Sequence, residues 1–287
     1  MSTNNQHFLR RLLIPRYWPV HLMLILATIV MLYPLLWMVS SSLKPETEIF
    51  QSSGLIPSEL TFSNYTEGWT ALQTPFTRFY INSFIIVILV VIGNVLTSSL
   101  TGYAFARVKF PGKRIWFSLM LLTLMLPFHV TLVPRYIMFS ELNWINTILP
   151  LVVPSFLATE AFFVFLNVQF IRGIPRDLDE AASVDGASRW QIFTRIIFPL
   201  STPALITTAI FSFIWTWNDF LSQLLYLNKT ELLTVPLALR QFVSAMDQSS
   251  YGQLFAMSTL AQIPILLFFV FGQKYIVEGI ATTGFKG

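Results

Sequence analysis

Groups that do chemistry in a protein are acids, bases, nucleophiles and metal ligands brought together, and in these 287 residues such groups are sparse. There are three histidines, His7, His21 and His129, with 14 acids and no cysteine. The histidines are scattered between the N-terminal arm and two apolar stretches, with no acid at metal-ligand spacing, so a metal centre is not expected. Lack of cysteine excludes disulfides and thiolate chemistry. No G-x-x-x-x-G-K-[ST] loop offers backbone N–H groups to nucleotide phosphates, and "PGKR" at Pro111 to Arg114 does not supply one. The one dense cluster is "DLDEAASVDGASRW", Asp177 to Trp190, where Asp177, Asp179, Glu180 and Asp185 alternate with small residues. Its chemistry is that of polar contact at close range.

The elements that must position this cluster follow from composition. The chain is 54% hydrophobic and 11% charged, with 27 Phe and 8 Trp, and its mean hydropathy is +0.64. Such a chain is too apolar to cover itself with a water-facing surface and belongs in a bilayer. A spanning helix needs about 20 mostly apolar residues. Six runs qualify: Trp18 to Leu43, Phe79 to Ala106, Ile115 to Phe139, Ile148 to Ile171, Leu200 to Tyr226 and Leu254 to Tyr275. The fold class is therefore all-α, a polytopic membrane protein with six transmembrane helices, organised as one domain over residues 1–287. Pro127 and Pro134 interrupt the third run, and Pro150 and Pro154 lie early in the fourth, so kinks are expected there. The first run is too long for a signal-peptide core and is read as a retained helix.

Basic residues orient the helices. With the N-terminus inside, the inner segments hold Arg10, Arg11, Arg16, Arg107, Lys109, Lys113, Arg114, Arg172, Arg176, Arg189, Arg195, Lys274 and Lys286. The outer ones hold only Lys44, Arg78, Arg135, Lys229 and Arg240. That bias places both termini in the cytoplasm, and it accounts for the net charge of +4 without a nucleic-acid partner. Between Arg172 and Arg195 lie four acids and four bases. At roughly 3 kcal/mol each, burying them in lipid would cost on the order of 24 kcal/mol, so residues 172–199 form a cytoplasmic loop. Pro175 suits a helix N1 position, acids fill the first turn and Gly186 suits a stop. Ser188 caps a second helix carrying Trp190, Phe193 and Ile197, expected to end before Pro199. On the first helix Leu178, Ala181, Ala182 and Asp185 share a face with little side-chain bulk, shaped to enter a groove. The competing physical reading is an amphipathic helix resting at the headgroup layer.

The motif E-A-A at Glu180 to Ala182, Gly186 four residues beyond it, and I-I-F-P-L at Ile196 to Leu200 resemble the coupling loop of ATP-binding-cassette importer permeases. More narrowly, the chain is similar to carbohydrate-importer permeases of the maltose-transporter type. Asn82-Ser83, "GYAFARVKFPGK", Asn146-Thr147, "IPRDLDEAASVDGAS", "WNDF" at Trp217 to Phe220 and the tail "GIATTGFKG" extend the likeness along nearly the whole chain. Phe198-Pro199 replaces the more regular Leu-Pro.

The resemblance implies a subunit of the bacterial inner membrane that moves a carbohydrate inward by alternating access and is not itself an enzyme. It implies a homologous second permease, two ATP-binding subunits holding the ATP and Mg, and an extracytoplasmic solute-binding protein. Glu180, Ala181, Ala182, Asp185 and Gly186 would meet an ATPase, with Gly284, Phe285, Lys286 and Gly287 of the tail at the same interface. Intramembrane polar groups usually face a cavity, which makes Glu160, Asn94, Asn167, Asn218, Asp219 and Gln262 candidates for the substrate path. Ser155, Thr159, Glu160 and Phe163 repeat at helical spacing on one side of the fourth span, a face suited to sugar rings. An anchor role beside Trp217 competes for Asn218 and Asp219, and Arg135 either favours an acidic sugar or anchors the third span. The outer segments 44–78 and 227–252 are where a binding protein would dock. A polyol or glycerol phosphate is an alternative cargo. A secondary transporter is an alternative class, distinguished by ion-coupling residues in a usually longer repeated chain.

Overall fold

The computed structural model describes residues 17–51, 54–245 and 251–284. All regular structure among them is helical. Four helical stretches are long and apolar enough to cross a membrane: Trp18–Ser41 (α1), Phe76–Arg107 (α2), Leu149–Gly173 and Tyr251–Lys274. Two further pairs qualify only if each bent pair is one span: Lys113–Thr123 (α3) with Phe128–Glu141 (α4), bent by 100°, and Arg189–Leu200 with Thr202–Asn218, bent by 73°. The bend between α3 and α4 falls at Pro127, which lacks the N–H needed to continue the helix. Pro134 is tolerated inside α4.

The fourth span departs from the sequence expectation. Residues Leu149–Val152 form one α-turn, Val153–Leu157 a 3₁₀ turn, and Ala158 turns left-handed at φ 54° before the helix Ala161–Gly173 (α5). The expected continuous helical face is therefore broken, because Pro150 and Pro154 favour a tightened turn. Hydroxyls satisfy the freed carbonyls: Thr97 Oγ1 donates to Ser155 O at 2.9 Å, and Thr159 Oγ1 to Pro154 O at 2.9 Å. The fifth run also stops short. Its helix, α7 (Thr202–Asn218), ends at Asn218 rather than continuing to Tyr226, and a separate short helix follows at Leu221–Tyr226.

The chain divides into two compact units, residues 1–69 with 245–260, and residues 70–244 with 261–287. In the first, the segment after α1 is structured rather than a free loop. Lys44 is buried and its Nζ donates to Gly54 O at 2.6 Å, while Asn64 Nδ2 donates to Ser42 O and Lys44 O. Glu46 accepts from Tyr251 N at 2.8 Å and Gly252 N at 2.9 Å, taking two of the first N–H groups of the last helix, α9 (Tyr251–Gly284).

In the larger unit α2 packs along α5 and α7. Gly102 permits that approach, since a Cβ there would lie 2.8 Å from the Asn167 Cβ. Asn167 is buried where the three helices meet, its Nδ2 reaching Ser98 Oγ at 3.1 Å, Thr208 Oγ1 at 3.2 Å and its own helix at Phe163 O. Away from water, such bonds hold helices whose apolar faces have no preference for one another over lipid. The segment after Leu227 is likewise structured: a 3₁₀ turn at Thr230–Leu232 and the helix Val235–Ala245 (α8). Asn82 Nδ2 donates to Glu231 O and Leu233 O, and Ser83 Oγ accepts from Val235 N.

Candidate functional sites

Two sites take shape, both within the larger unit. The first is the acid-rich segment. Its helix, α6 (Asp177–Val184), begins two residues after Pro175, which therefore precedes the N-cap Arg176 instead of standing at N1. Its end matches the expected stop. Gly186 adopts φ 81°, Gly186 N donates to Ser183 O, and Ala187 N to Ala182 O, a Schellman closure that needs a left-handed residue. Ser188 then caps Arg189–Ile192 in a reciprocal box with Gln191. The second helix does not end before Pro199 as expected. Its hydrogen bonding widens into a π-turn over Phe193–Ile197 and continues to Leu200, which accommodates the proline ring and its missing donor.

One side of α6 is fastened to its own chain. Ala182 and Ala187 pack against a buried cluster of Ala106, Ile171, Ile192 and Ile197. Arg107, at the end of α2, places Nε 3.0 Å from Asp179 Oδ2 and donates from Nη2 to Ile174 O at 2.6 Å. The other side stands free. Glu180, Ala181, Asp185 and Gly186 are exposed, and Val184 and Leu178 beside them are 88% and 41% exposed. Of the five residues expected to meet a partner, only Ala182 therefore turns inward. Arg107 was not singled out by the sequence reading; its signal was its place in "GYAFAR", but its partner is far away in the chain. Gly284 ends α9, whereas Phe285, Lys286 and Gly287 lie outside the described residues.

The second site is a cavity of about 850 Å³. Ser155, Thr159, Glu160, Phe163, Asn218 and Asp219, the six residues expected on the substrate path, all line it, with Asn94 and Arg135. They are brought together by chain breaks, at Ala158 in the fourth span and after Asn218 in the fifth. Non-helical backbone at membrane depth is tolerated where it lines a cavity. Phe163 is buried and stacks on Trp215 with ring centroids 5.1 Å apart, leaving Trp215 46% exposed as an aromatic wall. Asn94 Nδ2 donates to Ser212 Oγ at 2.8 Å, while its buried Oδ1 has no partner among the described residues. Asn218 Nδ2 is turned back to Ile214 O, and Asp219 Oδ1 accepts from Ser222 N at 3.0 Å, capping the next short helix. Trp217 does not face this space as an anchor; it is buried and donates to Ala261 O. Asn167 serves helix packing, and Gln262 is exposed outside the cavity lining. Trp215, Gln223 and Tyr226 also line the cavity and were missed, because aromatic and amide residues in an apolar run carry no periodic signal of their own. No group of three or more His, Cys, Asp or Glu that could hold a metal exists among the described residues.

Comparisons with known proteins identify the family. Residues 98–282 match the family described as binding-protein-dependent transport system inner membrane component. The chain is 34% identical over 264 residues to the trehalose/maltose transport system permease protein MalG of Thermococcus litoralis, covering 92% of this chain and 94% of that one. It is 33% identical over 258 residues to the arabinooligosaccharides transport system permease protein AraQ of Halalkalibacterium halodurans, covering 89% and 91%. The fold matches a chain of a bacterial ABC transporter involved in the import of the acidic polysaccharide alginate, with TM-score 0.81 and 20% identity over 96% of this chain and 98% of that chain. These matches displace the secondary-transporter alternative. The chain belongs to the binding-protein-dependent inner-membrane components, as a multi-pass transport subunit of the ABC-importer permease type.

Proposed function

We propose that this permease forms half of a translocation pathway for a carbohydrate, an oligosaccharide by preference, with a homologous second permease forming the other half. The observation that carries the reading is the cavity: the exposed aromatic face of Trp215, backed by the buried Phe163, suits the C–H faces of sugar rings, and Asn94, Thr159, Glu160 and Asn218 suit their hydroxyls. Relatives named for trehalose/maltose and for arabinooligosaccharides support a carbohydrate cargo. Six spans within one domain, with both bent pairs crossing the membrane and both termini cytoplasmic, fit the bias in basic residues. Segments 44–78 and 227–252 then face outward, toward a solute-binding protein.

In this reading residues 172–199 are the coupling segment. The free side of α6, with Glu180, Ala181, Asp185 and Gly186, enters a groove on one of two ATPase subunits, which hold the ATP and Mg, while Arg107–Asp179 and the cluster around Ala182 carry that movement into α2 and α5. The tail from Gly284 reaches the same interface. Closure of the ATPases would rock the helices and turn the cavity outward.

The test is ATP hydrolysis by the complete complex in liposomes, with binding protein loaded with neutral, acidic or polyol cargo. Loaded binding protein should stimulate hydrolysis. Gly186→Trp, which adds bulk where nothing lies within 4 Å, should remove the stimulation while assembly persists. Gly186→Ala, which adds backbone strain with little bulk, should retain most of it. Equal loss in both variants would mean that the turn, not docking, is what matters, and unstimulated wild-type ATPase would overturn the reading.

A further inference from the structure

We infer that the turn between α2 and α3 is a second ligand site, one that binds the phosphodiester headgroup of an anionic phospholipid. Lys109, Lys113 and Arg114, with Phe110, Gly112 and Ile115, line an open pit of about 510 Å³. The pit is built rather than loose. Lys113 is half-buried and its Nζ is pinned by donating to Val108 O at 2.9 Å. Phe105 packs on Phe110 and Phe117, with ring centroids 5.7 and 5.4 Å apart. From the end of α5, the Arg172 guanidinium lies over the Phe117 ring, 5.2 Å from its centroid. Arg172 and Arg176 are near enough for their charge to act on the Lys113 ammonium.

Three cations thus line the pit with Arg172 beside it, and none of the four is in an ion pair among the described residues. The neighbouring Arg107 is different, since its guanidinium is matched by Asp179 at 3.0 Å. Cations held this close repel one another, and an anion from outside relieves the repulsion while accepting charge-assisted hydrogen bonds. The general excess of bases on this side of the chain accounts for their number. It does not account for Lys113 being pinned or Arg172 being stacked within range of it.

The surroundings of the pit select the anion. Ile115 and Trp116, on the first turn of α3, are 66% and 61% exposed, next to the cations. From there the helix runs on as IWFSLMLLT, so the charged groups sit where an apolar helix would enter the bilayer. A ligand with a phosphate head and an apolar tail meets both surfaces, with Trp116 at the level favoured by amphipathic rings. Free phosphate meets only the first. The inference goes beyond the transport reading and holds whatever the cargo.

The experiment uses the whole complex in liposomes containing lipid brominated near the head end of its acyl chains, read by tryptophan fluorescence, with Trp116→Phe assigning the Trp116 share. Brominated phosphatidylglycerol should quench that share several-fold more than brominated phosphatidylcholine at equal mole fraction. The preference should vanish in Lys113→Gln/Arg172→Gln. It should weaken in Lys109→Gln/Arg114→Gln, whose exposed side chains make no ion pair among the described residues and are safer to replace. Equal quenching by both lipids, or a preference that survives both pairs of substitutions, would overturn the inference. A preference removed by added inorganic phosphate would assign the pit to a free anion and would overturn it too.

Discussion

At the scale of single residues, the pairing of Arg107 with Asp179 has the most to say about coupling. Removing one member of a fully buried pair costs about 3–5 kcal/mol. Here the Asp179 side chain is 19% exposed and that of Arg107 5%, so the loss should be smaller, and local to the base of α6. Arg107→Gln also removes the donor to Ile174 O, whereas Asp179→Asn leaves that bond in place. Hydrogen exchange over residues 174–187 should therefore rise in both variants and rise more in Arg107→Gln. The double variant should show less than the sum of the two, because the groups share one interaction. Strictly additive effects would mean that the pair holds nothing together. Gly186 belongs at this scale as well. Its left-handed backbone costs a non-glycine residue roughly 1–2 kcal/mol, so Gly186→Ala should speed exchange at Gly186 N and Ala187 N, the two donors that close α6.

At the scale of elements, what the sequence made legible was helix existence, and what it hid was helix interruption. Apolar runs are sums over about 20 residues, so the spans at Trp18–Ser41 and Phe76–Arg107 were readable while one left-handed residue, Ala158, was not. The proline positions hinted at trouble in the fourth span without saying where the chain would turn. Yet the six residues chosen for the substrate path share one cavity, because an intramembrane polar group is costly unless it faces such a space. The same cost argument also pointed to Asn167 and Gln262, which do not line this cavity, and the assumed helical face is broken at Ala158. Ala158 gives an element-scale prediction. Glycine adopts φ 54° without the penalty that a Cβ brings, so Ala158→Gly should leave the thermal midpoint of the purified complex unchanged or slightly higher. Ala158→Val, β-branched in a left-handed position, should lower it by several degrees. A second prediction concerns α9, whose first N–H groups depend on Glu46. Glu46→Ala removes a cap of a type worth about 1 kcal/mol, and amide exchange at Tyr251 and Gly252 should quicken while that in the middle of α2 does not.

At the scale of the whole molecule, the remaining question is which ends of the helices face the cytoplasm, and the coupling reading depends on the answer. The bias in basic residues argues for both termini and residues 172–199 inside. The coupling reading needs the free side of α6 on the same side as ATP, and it would fail at once if that side were outside. The chain offers a clean way to decide, because it contains no cysteine. Val184 on the free side of α6 is 88% exposed, and Ile56 in the segment after α1 is 86% exposed, so cysteine at either position should fold normally and react readily. In cells whose inner membrane is intact, a membrane-impermeant maleimide should label Ile56→Cys and spare Val184→Cys. Opening the inner membrane should expose Val184→Cys, and the assembled ATPases should shield it again. Labelling of Val184→Cys in intact cells would invert the topology and remove the basis for the coupling role. Labelling of both sites only after opening would mean that the stretches between them, from Phe76–Arg107 to Leu149–Gly173, do not cross the bilayer an odd number of times. The shielding step tests more than orientation, since a helix merely resting at the headgroup layer would react equally with and without the ATPase subunits.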